Sequence, residues 1–231
     1  QQAYQKAKQD KINLLLFTEL FICGYPVEDM VLDRDFLQQC KEALIILAEA
    51  TKNQQTAMLI GAPVKRDGKV YNAVLLLRNG KIEQECYKCA LPNYAEFDEK
   101  RVFSAGEEPA LIELPQGRFG VLVCEDIWSK DLQPILVRQG AEFIFVLNAS
   151  PYCHQKIPQR QAVVAGCAEA LRIPIFYSNQ IGGQDELVFD GGSFAVDANG
   201  KIVVQLKQFE EQFSISQWVK QEGSWQCVAG E

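Results

Sequence analysis

The run Val121-Leu122-Val123-Cys124-Glu125-Asp126 decides how the chain is read. Three apolar residues form a short strand with no polar face, which suits a strand buried on both sides. The strand meets a thiol and two carboxylates at once. In layered α/β proteins, ligand sites lie at such strand ends.

The surrounding sequence has the same grammar. Phe143 to Leu147 and Ile173 to Ser178 are further buried strands. Between them, residues 156–172 carry Val163, Val164, Cys167, Ala168 and Leu171 on one helical face. Upstream, Leu14 to Phe17 reads as a strand and Met58 to Pro63 as another. Residues 34–50 read as a helix through Phe36, Leu37, Cys40, Leu44, Leu47 and Ala48. Val70 to Leu77 and Ile82 to Lys88 flank Asn79-Gly80, a strong hairpin signal because both turn residues need positive φ. Ser193 to Val196 and Ile202 to Leu206 flank Asn199-Gly200 in the same way. Residues 130–139 predict a short helix. Apolar strands alternating with helices make an α/β chain with a mixed sheet, read as one domain over residues 1–231.

Residues 89–109 show no period, yet hold Leu91, Pro92, Tyr94, Phe97 and Phe103. A loop this long in a compact domain is usually functional or disordered, and this one is too apolar for disorder. Residues 1–11 read as the second half of a helix, and the tail from Ser224 stops with no closing element. The chain is expected to be a piece of something longer.

The 231 residues are 48% hydrophobic and 23% charged, with a formal net charge of -7. That balance belongs to a globular chain and argues against nucleic acid or an anionic membrane as partner. No apolar run approaches the roughly 18 residues of a spanning helix. The start, Gln1 to Lys6, is polar, and no signal peptide is expected from it. The 8 cysteines are read as reduced thiols of a cytoplasmic protein.

Three strands end on groups that can do chemistry. Glu19 closes Leu14 to Thr18; it could cap a turn, or act as a partly buried general base. Lys88 closes the Ile82 strand; most lysines are solvated, but an ammonium in a dry site stabilises an oxyanion. Cys124 closes the Val121 strand; such a thiol is more often a packing residue, and becomes a nucleophile only beside a base or a cation. No spacing argument brings the three together. The single histidine, His154, leaves a Cys124–His154 dyad open.

Thr18-Glu19-Leu20-Phe21-Ile22-Cys23-Gly24-Tyr25-Pro26-Val27-Glu28-Asp29 resembles the glutamate motif of the nitrilase, or carbon–nitrogen hydrolase, superfamily. Lys88-Cys89-Ala90-Leu91-Pro92-Asn93-Tyr94, running on to Arg101, resembles its lysine motif, and Cys124 to Trp128 its cysteine motif. Asn148 to Pro151 and Gly182 to Gly191 are also similar to it. The Gly-Tyr-Pro-x-Glu-Asp ending is similar to the glutaminase domains of glutamine-dependent NAD+ synthetases. The resemblance implies an α-β-β-α sandwich of mixed sheets covered by helices. It implies Glu19 as base, Lys88 as oxyanion stabiliser and Cys124 as nucleophile. Glu99 would orient the lysine and the substrate. Tyr25, Tyr94 and Trp128 would line the substrate pocket, and Ser150 would bind the amino-acid end. The backbone N–H of Glu125 would share the oxyanion.

The same resemblance implies L-glutamine as substrate, and neither a metal nor a cofactor in this domain. ATP and Mg2+ are expected only in a synthetase domain of the same polypeptide, which should follow Glu231. The family's first strand would precede Gln1, and its absence could expose a sheet edge. The chain alone is then expected to release ammonia weakly or not at all. A homo-oligomer is implied. Three other readings compete: an amidase for aliphatic amides or carbamoyl compounds, a catalytically inert scaffold, and a zinc or redox module built on Cys86-x-x-Cys89.

Overall fold

The structure is a computed structural model that describes residues 2–230. Its contacts group the chain into two compact units, Gln1–Glu107 and Glu108–Glu231.

The first unit opens with helix α1 (Gln2–Gln9) and strand β1 (Leu14–Leu16), followed by helix α2 (Arg34–Ala50). Strands β2 (Ala57–Arg66), β3 (Lys69–Arg78) and β4 (Lys81–Tyr87) come next, then the short helix α3 (Glu99–Val102). Among the described residues the sheet order is β1-β2-β3-β4, with β1 parallel to β2 and the other pairs antiparallel. Residues 57–64 of β2 and 72–77 of β3 are buried without interruption, as a sheet covered on both faces requires. Helix α2 buries Leu37, Cys40, Leu44 and Ala48, one face at helical spacing, and packs on β2, β3 and β4. Its start is capped by the Asp33 carboxylate, which accepts from Phe36 N at 2.8 Å.

The Asn79-Gly80 hairpin is present, with φ of 55° and 81° at the two turn residues. Strands β2 and β3 run further than their apolar runs suggest, meeting at Asp67-Gly68, whose φ values of 49° and 78° suit the same tight turn.

Past β1 the chain stays on β2. Phe17 N donates to Leu59 O (2.9 Å), Gly61 N to Thr18 O (3.1 Å), and Ile22 N to Gly61 O (3.2 Å). A Cβ on Gly61 would lie 2.3 Å from Leu20 N and 2.4 Å from Thr18 O. Only glycine lets the backbone carrying Glu19 lie this close.

The second unit contains β5 (Ala110–Leu114), β6 (Gly117–Val123), helix α4 (Gln133–Arg138), β7 (Phe143–Asn148), helix α5 (Lys156–Leu171) and β8 (Ile175–Asn179). The hairpin β9 (Ile181–Gln184) and β10 (Leu187–Asp190) follows, then β11 (Phe194–Val196), β12 (Ile202–Gln205), β13 (Ser216–Gln221) and β14 (Ser224–Gly230). The main sheet runs β12-β11-β8-β7-β6-β5, with β6, β7 and β8 parallel and the outer pairs antiparallel. Leu122, Ile144, Val146, Ile175 and Tyr177 of the sheet pack with Leu136 of α4 and with Val164 and Ala168 of α5.

The tail corrects one expectation. It does not stop without a closing element: β14 pairs with β13 through a Glu222-Gly223 turn. Trp218 stands edge-on to Phe143 at 4.8 Å, and Glu142 accepts from Lys220 Nζ (2.8 Å) and Trp225 Nε1 (3.1 Å). Strand β5 and the β9–β10 hairpin also go beyond the sequence reading. The fold class it gave, α/β with mixed sheets covered by helices, is the one observed. No helix among the described residues is long and apolar enough to cross a membrane.

Replacing Gly61 with alanine should push residues 18–22 off β2 and lower stability by about 1–3 kcal/mol. Thermal or urea unfolding measures this; an unchanged midpoint would mean that the segment is not held there.

Candidate active site

In the first unit, three ionisable side chains meet out of water. Lys88 follows β4, Glu19 follows β1, and Glu99 begins α3; their exposures are 1%, 0% and 4%. Lys88 Nζ donates to Glu19 Oε1 at 2.8 Å and to Glu99 Oε1 at 2.6 Å. Tyr25 OH donates to Glu99 Oε1 at 3.0 Å. Asn72, fully buried on β3, donates from Nδ2 to Glu19 Oε1 at 2.7 Å, and its carbonyl accepts from Lys88 N at 2.9 Å. The bonds span the chain: Lys88 and Glu19 are 69 residues apart. Residues 89–109 thus fold back to deliver Glu99 to the lysine they follow. On the surface, Arg101 joins the same two segments by pairing with Glu28, Asp29 and Asp98. Such exposed pairs stabilise little.

The ammonium attracts both carboxylates, but the two carboxylates that flank it repel each other. Glu99 shows the result: burial pushes its carboxyl up to about 7, and the Glu19 charge adds to the rise, while Lys88 and Tyr25 oppose it. Its second oxygen, Oε2, is buried without a hydrogen-bond partner among the described residues.

In the second unit, Cys124 sits where β6 turns into a 3-10 turn, Cys124–Trp128. It is 7% exposed and adopts φ of 46°, a region that residues with a Cβ avoid. Asp126 and Gln133 hold the bend. Val123 N donates to Asp126 Oδ2 at 2.9 Å, and Gln133 Nε2 donates to the carbonyls of Asp126 (3.2 Å) and Ile127 (2.6 Å). Backbone strain of this kind clusters at functional sites. Glu125 and Trp128 are half-buried beside it, and Lys156 Nζ lies 5.0 Å from the Trp128 ring centre.

Ser150 lies in a buried polar knot after β7. Its hydroxyl accepts from Arg160 Nε at 3.2 Å, and its N–H donates to Asn179 Oδ1 at 2.9 Å. Arg160, 1% exposed on α5, also donates to the carbonyls of Ser150 and Pro151 and to Asp190 Oδ1, each at 2.8 Å. His154 is exposed in the turn before α5. Cys86 is buried in β4 with its thiol pushed up to about 12, chiefly by burial. A thiol held protonated is a poor metal ligand and a poor nucleophile. Among the described residues, no three His, Cys, Asp or Glu side chains gather as a metal group.

Comparison with known proteins fits this chemistry. The carbon-nitrogen hydrolase family matches residues 1–225. The chain belongs to that family. Among curated relatives, the glutamine-dependent NAD(+) synthetases of Synechocystis sp. and Thermotoga maritima are 35% and 38% identical, over 88% and 91% of this chain. The chain spans only 39% and 37% of their lengths. Among solved structures, the glutamine-dependent NAD+ synthetase of Acinetobacter baumannii, in complex with ADP, superposes with a TM-score of 0.90 at 35% identity. That match covers 99% of this chain and 43% of the synthetase chain. An amidase from Nesterenkonia sp. shares the fold, with a TM-score of 0.77 at 23% identity over 89% of this chain and 77% of its own.

Within this carbon–nitrogen hydrolase, the structure brings together Glu19, Lys88, Glu99 and Tyr25 of the sequence-derived site. Tyr94 is 54% exposed and packs edge-on to Phe97 at 5.5 Å. Two residues escaped the sequence reading. Asn72 was signalled by an amide inside the apolar run Val70 to Leu77. Arg160 was signalled by its place four residues before Val164, a charge in line with the apolar face of the helix.

The raised Glu99 carboxyl makes stability depend on pH. An acid that titrates higher in the folded state binds its proton more tightly there. Its contribution is full below the ordinary value of 4.5 and is lost as pH rises through about 7. Unfolding free energies of the wild type minus those of Glu99→Gln should fall across that window and level off above it; a flat difference would overturn this.

Proposed function

We propose that this chain is the glutamine amidase portion of a glutamine-dependent NAD+ synthetase. It hydrolyses the side-chain amide of L-glutamine through a thioester on Cys124. The observation that carries this reading is the buried Glu19–Lys88–Glu99 cluster. Burying three ionisable groups costs several kcal/mol per ion before their attraction is counted, and a packed apolar trio would do the structural work as well.

Glu19 takes the proton of the Cys124 thiol, and the thiolate attacks the amide carbon. The oxyanion is held by Lys88 and by the backbone N–H of Glu125. Glu19 returns its proton to the nitrogen, the C–N bond breaks, and ammonia leaves. Water then gives a proton to Glu19 and attacks the thioester. The C–S bond breaks, glutamate departs, and the thiolate recovers the proton. Glu99 keeps Lys88 aimed. Tyr25, Tyr94, Trp128 and Ser150 shape the site around the substrate. The ammonia would serve an ATP- and Mg2+-dependent amidation of deamido-NAD+ in a synthetase domain of the same polypeptide. A cytoplasmic setting suits that role and the reduced cysteines, and a homo-oligomer is its proposed state.

A diazoketone analogue of glutamine should add its mass at Cys124 alone, and Cys124→Ala should abolish both the adduct and glutamate release. Labelling at the exposed Cys153 instead, or hydrolysis retained by the variant, would overturn the assignment.

A further inference from the structure

Asn72 is a neutral amide in a strand of apolar side chains, and the reaction just described leaves it unused. It is fully buried; its amide nitrogen has a partner, while its Oδ1 is buried without a hydrogen-bond partner among the described residues. Its carboxamide nitrogen donates to Glu19 Oε1 at 2.7 Å, the oxygen that also takes Lys88 Nζ at 2.8 Å. Its carbonyl takes the Lys88 N–H at 2.9 Å. One residue thus holds the base by its side chain and the lysine by its main chain. A side-chain substitution removes the first hold and keeps the second.

We propose that Asn72 is a positioning residue for the amidase reaction, fixing the Glu19 carboxylate in the orientation in which it takes the Cys124 proton. The inference rests on the amidase reading. The terminal torsion of a glutamate is soft, so a carboxylate needs directional donors to stay put. Lys88 cannot supply this alone: an ammonium is a rotatable point charge, and it is shared with Glu99 at 2.6 Å. The planar carboxamide of Asn72 is directional. Its orientation is settled by chemistry, since the reversed amide would set its oxygen against the Glu19 oxygen. A donor on a carboxylate also favours the charged form, the form in which a base works. Glu19 pairs with Lys88, beyond β4, and feels the charge of Glu99, on α3. Asn72 adds a donor without adding a charge.

The test uses Asn72→Ala and the isosteric Asn72→Asp in the full chain, with glutamine hydrolysis followed from acid to neutral pH. In both variants kcat should fall at least about tenfold while KM changes less than about threefold. The acidic limb of kcat/KM should move to higher pH, further for Asp, which brings a third carboxyl to the cluster. A wild-type limb in both variants would overturn the proposal, even with a lowered melting temperature, because packing alone moves the melt and not the limb. Should the alanine variant fail to fold, the aspartate variant carries the test. Failure of the amidase reading looks different: the wild type itself would neither hydrolyse glutamine nor take the diazoketone on Cys124.

Discussion

The ammonium of Lys88, buried to 1% exposure, is the constraint from which the first unit is organised. A lone ammonium cannot be taken out of water at tolerable cost, so carboxylates must come to it from elsewhere in the chain. Glu19 arrives past the end of β1, and Glu99 at the start of α3. Each arrival makes its own demand. The Glu19 segment needs Gly61, because any Cβ there would strike its backbone. Glu99 needs the long segment after β4 to turn back, and Tyr25 to share its oxygen. Two carboxylates facing one ammonium leave a surplus of negative charge. The structure relieves it through the tendency of Glu99 to hold a proton near neutrality.

The second unit carries its cost in the backbone. Cys124 stands at φ of 46°, in a conformation worth about 1–3 kcal/mol of strain for a residue with a Cβ. It persists because its surroundings over-determine it. Strand β6 lies between β5 and β7, and Asp126 and Gln133 take up the polar groups of the bend. Arg160 does similar work further along. With donors on Ser150, Pro151 and Asp190, it fixes the turn after β7 to the end of β10. A charge buried with every bond directed inward is a structural rivet.

Much of this was legible in the sequence, for physical reasons that also explain the gaps. Helix α2 and the buried strands announce themselves because apolar runs and helical spacing report burial directly. The β9–β10 and β13–β14 hairpins do not. They are short, half-exposed, and joined by Asp185-Glu186 and Glu222-Gly223, turns that lack the asparagine-glycine signature. The site divides the same way. Glu19, Lys88 and Cys124 each stood out as a chemical group closing an apolar run. Their joint role came from the resemblance of three motifs, since spacing says nothing about residues 69 apart. Asn72 was visible as an amide among apolar neighbours, but its meaning lies wholly in what faces it across the sheet.

Both units place a residue of the proposed site by one device. Glu19 follows β1, which pairs in parallel with β2, and Cys124 follows β6, which pairs in parallel with β7. A parallel strand inside a layered sheet is largely apolar along its length, so a titratable residue just past it lies where that apolar run has ended. That residue stays close to the last ladder bonds, and its side chain is still out of water: Glu19 is 0% exposed and Cys124 7%. A nucleophile or a base needs both conditions: a backbone too constrained to drift, and a side chain at the edge of the core where desolvation raises its reactivity. Sequence places such residues at strand ends, and the sheet gives them a fixed position without any loop having to be rigid.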